Sequence, residues 1–396
     1  MTHSAKPHKS VTVVLFCLAQ EDANAGTIGP SRTSDRSEGE PRMSGQGIVG
    51  RPVDVGLIGL GRFGKLHAAI LSRLSQARLA AICDPLEAEV RAVGDRLGVA
   101  ARYTDYDDLL RQERLDCVFL VTPEDLHVEM AMKAVERGLS IFLEKPLATT
   151  SEDGQRLADA AAGAGVPLQV GFVLRFETQH AFLKHEIATG RFGKIVTMRV
   201  KRNCPKSWFA IYGDRAHSVH ETVIHDIDLL LWFLGDRCEK VYAAQRHVTG
   251  HRFPDATVAL LQFAGGAMAT VETSWFVPER APGNVLTDTW TGTIDAELEI
   301  VGTEQTARLR ILESGLEIWT SEVTKHPEPG LWPEVHGNIA GALREEDAHF
   351  VETVRAGVPS PVASVADAVE GLRIAEAIIV SAEQGREVVL TDSEIA

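Results

Sequence analysis

The sequence predicts an α/β protein in two units: a doubly wound parallel sheet, then an α+β unit with an open, largely antiparallel sheet. Three observations predict it. Short apolar strand-type runs alternate with helical patterns from residue 53 to about residue 172, as parallel strands joined by helices do. The first run leads directly into a Gly-x-Gly-x-x-Gly loop and then a helix. Beyond Phe172 the alternation stops, and strand runs follow one another with few helices between them.

The composition fits such a chain and narrows its partners. Of 396 residues, 40 are Lys or Arg and 55 are Asp or Glu, a formal net charge of −15, with 44% hydrophobic and 24% charged residues. That is a globular composition with ample material for a core. The acidic surplus argues against nucleic acid, which needs concentrated Lys and Arg, and against an anionic membrane face. No apolar run approaches the roughly 20 residues that cross a bilayer. Cys17, Cys83, Cys117, Cys204 and Cys238 are scattered with no Cys-x-x-Cys pair, so no zinc ribbon or disulfide framework is expected and a cytoplasmic location is. Residues 1–50 differ in character. Lys6 and Lys9, the apolar run Val11 to Ala19 and Ala23-Asn24-Ala25 faintly resemble a secretory signal, but the run is short. The preferred reading is a disordered extension, or a true start at Met43.

The first folded unit is predicted over residues 51–170. Val53 to Ile58 is a strand; Gly59, Gly61 and Gly64 form the loop around Leu60, Arg62 and Phe63; Leu66, Ile70, Leu71 and Leu74 share one helix face. The first glycine permits the tight turn, the second lets a pyrophosphate approach the backbone, and the third lets helix and strand pack closely. The strand Arg78 to Cys83 ends at Asp84, where a dinucleotide-binding unit places the carboxylate that holds a ribose diol. A carboxylate there repels a 2′-phosphate, so NAD is expected over NADP. Helices follow near Leu86–Leu97, Asp125–Arg137 and from Ser151, with strands at Cys117–Val121, Ser140–Leu143 and Leu168–Phe172. Ligands of such sheets bind at the strands' carboxyl ends, and two of those ends are polar: Thr122-Pro123-Glu124-Asp125-Leu126-His127 and Glu144-Lys145-Pro146.

The second unit is predicted over residues 171–396. It opens with a helix near Thr178–Thr189 and a strand at Lys194–Lys201. A helix over His217–Leu234 precedes strands at Lys240–Thr249, Thr257–Phe263, Met268–Phe276, Leu298–Val301 and Ala307–Leu312. Ser364-Val365-Ala366-Asp367 reads as a capping box opening a last helix that Gly385 closes. His220 and His225 are five apart, about 140° round a helix, so they cannot easily share a metal, and no metal is expected. Glu221, His225, Asp228 and Trp232 instead fall on one stripe, which is costly beside an apolar helix unless it lines a site. His225 titrates near neutrality and Glu221 lies one turn back, so His225 is the candidate general base with Glu221 orienting it.

These segments together resemble the Gfo/Idh/MocA family of NAD(P)-dependent oxidoreductases, and within it the inositol-2-dehydrogenase-like enzymes. The resemblance rests on Gly59–Gly64, Thr122-Pro123…His127, Glu144-Lys145-Pro146, the run from Val170 to Phe176, Ile224-His225-Asp226-Ile227-Asp228 and the run from Leu298 to Glu304. It covers the chain from about residue 53 onward. It implies a Rossmann domain binding NAD through the Gly-rich loop with Arg62 and Phe63, through Asp84, and through Thr122, Pro123, His127 and Glu144. It places Lys145 between nicotinamide and substrate, on the reacting oxygen, and supports His225 as the base. Arg175 and Asn203 would add substrate contacts, and a homodimer or homotetramer is expected. Two departures bear on the substrate. Glu221 stands where the family more usually shows Asp, and Leu174 where inositol dehydrogenases tend to carry Arg. The expected activity is hydride transfer between nicotinamide and a secondary alcohol of a cyclic polyol, sugar or sugar derivative. Rival readings are an enzyme that keeps NAD bound and oxidises only transiently, and a non-catalytic dinucleotide-sensing regulator.

Overall fold

The computed structural model describes residues 48–390 except Asp288 and Ser314. The expectation of a disordered extension over residues 1–50 therefore lies, but for its last three residues, outside the described residues. Among the described residues no helix is long and apolar enough to cross a membrane.

The first unit is built of β1 (Val53–Ile58), α1 (Arg62–Leu71), β2 (Ala77–Cys83), α2 (Glu87–Leu97), β3 (Ala101–Tyr103), α3 (Tyr106–Gln112), β4 (Cys117–Leu120), α4 (His127–Glu136), β5 (Ser140–Glu144), α5 (Ser151–Ala164) and β6 (Leu168–Gly171). The strands run parallel in the order β3-β2-β1-β4-β5-β6. The order reverses between β1 and β4, the point where such a sheet opens a crevice. β4 and β5 are buried along their whole length, because helices cover both faces of a parallel sheet.

The second unit has α6 (Thr178–Ala188), β7 (Ile195–Pro205), α7 (Trp208–Tyr212), a π-helical turn (Val219–Val223), α8 (Ile224–Leu234), β8 (Cys238–Arg246), β9 (Ala256–Phe263) and β10 (Met268–Val277). Its seven-stranded sheet runs Thr306–Arg310, Asp295–Gly302, β7, β10, β9, β8, Val388–Val389, and only β7 and β10 pair in parallel. Burial alternates strictly along β9, so one face is packed and the other open. The chain ends with α9 (Ala342–Ala356) and α10 (Val365–Gln384). The Ser364 side chain accepts from the Asp367 N–H and Gly385 closes α10 in the left-handed region, as the capping residues predict.

Three differences from the sequence reading have physical causes. The helix expected over His217–Leu234 begins as a π-helical turn, which changes where Glu221 points. α9 escapes prediction because its buried face carries Glu346 and Asp347 where apolar residues would signal a helix. That helix also breaks the linear division at residue 170. Phe350 packs edge-on against Phe119 and Phe142 of the first sheet, with centroids 5.2 and 5.7 Å away, so the C-terminal segment covers the first unit as well.

Candidate active site

The Gly-rich loop is shaped by contacts that only glycine permits. Gly59 sits at φ +92°, and a Cβ there would lie 2.1 Å from the Val121 carbonyl oxygen. A Cβ on Gly64 would fall 1.9 Å from the Gly59 oxygen, so α1 can approach β1 only without one. Gly61 differs. A Cβ there meets nothing within 4 Å, so what glycine preserves at that point is open space beside the start of α1. Gly61 is also the N-cap, and no side chain caps the helix, which leaves its first N–H groups and positive dipole end for an anion. At the end of β2, Asp84 accepts from the Leu60 N–H (2.8 Å) and the Leu86 N–H (2.9 Å). The carboxylate thus fastens the Gly-rich loop and also starts the Asp84-Pro85 turn.

This loop opens on a cavity of about 690 Å³ between the two units. Gly59, Gly61, Arg62, Phe63, Gly64, Asp84, Thr122, Pro123, Glu144, Lys145, Glu221 and His225 all line it. Three polar atoms of lining residues, Thr122 Oγ1, Trp208 Nε1 and His225 Nδ1, are buried and without partners among the described residues, as at a site built for a ligand. These residues fit a dinucleotide. The loop and helix start would take the pyrophosphate, Asp84 the adenosine ribose, and the Thr122 and Glu144 ends of β4 and β5 the nicotinamide side.

At the reacting end, the Lys145 ammonium donates to Glu221 Oε2 at 3.1 Å and to the Glu221 carbonyl at 2.8 Å. Burial would lower its pKa, but Glu221 and Glu144 more than offset that and hold it above the ordinary lysine value. Lys145 is therefore a fixed cation. Glu144 takes the Lys145 backbone N–H on Oε2 (3.0 Å) and the His67 Nε2–H on Oε1 (3.3 Å), so it holds the Lys145 backbone. Burial drives the His225 pKa well below its usual value, and the Lys145 and Arg202 cations push the same way. The ring is neutral at neutral pH, the form a proton acceptor requires.

Several site expectations need correction. Glu221 does not orient His225, since the π-helical turn brings its carboxylate to Lys145 instead. The polar stripe on α8 is split. Asp228 turns away from the cavity and pairs with Arg175 at 2.6 Å, its carboxyl raised to about 6 by burial against the opposing pull of Arg175. Arg175 is accordingly no substrate ligand: its guanidinium is buried and spent on Asp228, Asp367 and the Val362 carbonyl. Asn203 is not one either. Side chains alternate along β7, so Arg202 and Cys204 line the cavity while Asn203 faces the other way and accepts from Ser274. His127 stands behind the lining, its ring between the Pro146 (2.7 Å) and Thr122 (2.9 Å) carbonyls. It ties together the loops that follow β4 and β5 rather than touching a cofactor.

The sequence reading passed over the aromatic wall of Trp208, Tyr212 and Trp290, and over Arg202, which Asp226 holds in a two-pronged pair at 2.8 and 3.0 Å. The spacing of Trp208 and Tyr212, four apart after the Lys206-Ser207 turn, was an available signal. Trp290 left none, because nothing local marks its loop as part of the site.

The model of an oxidoreductase family with an NAD-binding Rossmann fold matches residues 53–172, and the model of the Gfo/Idh/MocA C-terminal domain matches residues 180–308. The chain belongs to the Gfo/Idh/MocA family of NAD-binding oxidoreductases. Among this family, scyllo-inositol 2-dehydrogenase (NAD(+)) of Bacillus subtilis is 28% identical over 343 residues, covering 84% of this chain and 95% of that protein. The crystal structure of myo-inositol 2-dehydrogenase from Lactobacillus plantarum superposes with TM-score 0.73 at 25% identity, covering 86% of this chain and 100% of that one. The scyllo-inositol dehydrogenase of Lactobacillus casei, solved with bound NAD(H) and scyllo-inositol, gives TM-score 0.72 at 23% identity over 86% of this chain and 99% of that one. The chain is thus an NAD-dependent oxidoreductase, with a six-stranded parallel Rossmann sheet followed by a mixed, largely antiparallel one.

Proposed function

We propose that this family member is an NAD-dependent dehydrogenase of a secondary alcohol on a cyclic polyol, sugar or sugar derivative. The observation that carries the reading is one cavity holding the Gly-rich loop, a fixed ammonium on Lys145 and a neutral imidazole on His225. NAD bound there supplies a hydride acceptor at its nicotinamide. Lys145 would donate to the alcohol oxygen and stabilise the alkoxide character that grows as the proton leaves. His225 would take that proton on its neutral imidazole. Glu221 keeps Lys145 aimed, and Glu144 holds the Lys145 backbone. Residues 51–170 serve the dinucleotide and 171–396 the substrate, apart from the C-terminal cover over the first sheet.

A homodimer or homotetramer completes the reading, supported by Tyr242, Val258, Leu260 and Met268 exposed on the open sheet face. A cytoplasmic location is supported by Cys83, Cys117, Cys204 and Cys238, all free and buried. The test is NADH formation across inositols, sugars and sugar derivatives with added NAD. Net NADH that rises with alcohol supports the dehydrogenase. Co-purifying NAD that turns over without net reduction would replace it with transient oxidation.

A further inference from the structure

The cavity's two ends differ in chemistry beyond the reacting groups. Polar groups gather at Lys145, Glu221 and His225, and the wall facing them is aromatic and aliphatic. Trp208 meets Tyr212, Trp290 and Trp275 at centroid distances of 5.3, 5.8 and 6.0 Å, with interplanar angles of 57°, 52° and 65°. The tilted rings make a chamber rather than a flat stack. It stands on a hydrophobic cluster separate from the main core, formed by Cys204, Phe209 and Trp275. Leu174 and Ile294 extend the apolar lining, and Ile211, 49% exposed by side chain and backbone together, sits at the mouth on the solvent side.

Most of the polar groups in this wall already have partners. The Tyr212 hydroxyl takes a hydrogen bond from Arg62 at 2.8 Å, and the Arg62 guanidinium lies 5.5 Å from the Trp290 ring centroid. The Trp275 N–H donates to Thr222 Oγ1 at 3.0 Å, whereas the Trp208 N–H is buried without a partner among the described residues and is left for an acceptor on a ligand. Arg202 gives its Nε and one terminal nitrogen to Asp226. A free inositol, with a hydroxyl on every carbon, would turn several of them toward these rings, where the Trp208 N–H could meet one and the others would lose their water without compensation. A ring whose far side carries a flat apolar group would instead bury that group against aromatic faces.

We infer that the substrate presents its reacting alcohol at Lys145 and His225 and an aromatic or similarly flat apolar substituent to the Trp208–Tyr212–Trp290 chamber. An aryl glycoside is the simplest member of that class. The inference rests on the dehydrogenase reading for its alcohol end alone; the chamber's selectivity is a property of binding.

The experiment compares phenyl and methyl glucosides, both anomers of each, and myo-inositol, in NADH formation by the full chain with NAD. A phenyl glucoside is expected to exceed its methyl partner in kcat/KM by about tenfold or more, mostly through KM, the scale of one buried aromatic face. Trp208→Ala and Trp290→Ala should bring that ratio towards one. A wild-type ratio of one or less, or a ratio that neither substitution moves, overturns the inference. Binding of the same glucosides to the NADH-loaded protein, followed by tryptophan fluorescence, separates the two proposals. Tighter phenyl binding without turnover keeps the chamber and removes the dehydrogenase; equal binding of phenyl and methyl glucosides removes the chamber even where turnover stands.

Discussion

The Lys145 ammonium lies 3.1 Å from the Glu221 carboxylate, joining the end of β5 to the π-helical turn before α8, 76 residues further along the chain. This ion pair crosses from the first unit to the second at the cavity between them. It makes Lys145 a cation of fixed direction, and it takes from His225 the carboxylate partner that the helical spacing promised.

Lys145→Ala should therefore lower kcat by about 10²–10³, the scale of losing one donor to a developing oxyanion. Glu221→Gln should cost less, because the Glu221 carbonyl still holds the ammonium at 2.8 Å. NADH affinity, read by fluorescence titration, should change by no more than a few-fold in Glu221→Gln. A larger effect of Glu221→Gln than of Lys145→Ala would contradict the assignment.

His225 should show itself in the pH profile. A base works only when unprotonated, so kcat/KM for alcohol oxidation falls as pH drops through its pKa. Burial together with Lys145 and Arg202 holds that pKa well below the ordinary histidine value of about 6.5. The acid limb should accordingly appear below about pH 6.5, and His225→Asn should lower kcat by about 10²–10⁴. A limb at or above the ordinary histidine value would show that another group sets it.

The Gly-rich loop separates folding from binding. Gly61→Ala meets no atom within 4 Å, so the protein should fold with an almost unchanged Tm while NADH binds about tenfold more weakly or worse. Gly64→Ala drives a Cβ into the Gly59 carbonyl and should damage folding itself. Asp84→Ser should ease the rejection of NADP by at least about tenfold in kcat/KM, by removing the charge that repels a 2′-phosphate.

His67, buried on α1, donates to Asp347 of α9 at 2.8 Å and to Glu144 at 3.3 Å. Burial would lower its pKa, but the two carboxylates outweigh burial and raise it to about 10. Unfolded, the ring titrates near 6.5, so its contribution to stability is whole below that value and is lost as pH rises towards 10. Urea unfolding should show this decline in the wild-type protein and a shallower one in His67→Gln. His67→Leu leaves two buried carboxylates without their cation and should cost about 3–5 kcal/mol.

Local order along the chain was enough for much of this protein. The strand before Gly59, the three glycines and Asp84 at the end of the next strand each act through neighbours a few residues away, or through a topology that alternation dictates. Lys145 and His225 are singled out by the family resemblance of their motifs, and the structure brings both to one cavity. What tertiary structure decided is where polar side chains spend their bonds. Glu221 and Asp228 share a helix pattern, yet the first reaches Lys145 and the second Arg175. Arg175 and Asn203 carry the right chemistry but face the wrong way, one into a buried ion pair and the other to the far side of β7. α9 stayed hidden because its buried acids read as surface until His67, 280 residues away, supplies the charge that lets Asp347 be buried. Periodicity records which face of an element is turned inward; only the packed structure selects the partner that satisfies a buried charge, because that partner can come from any part of the chain.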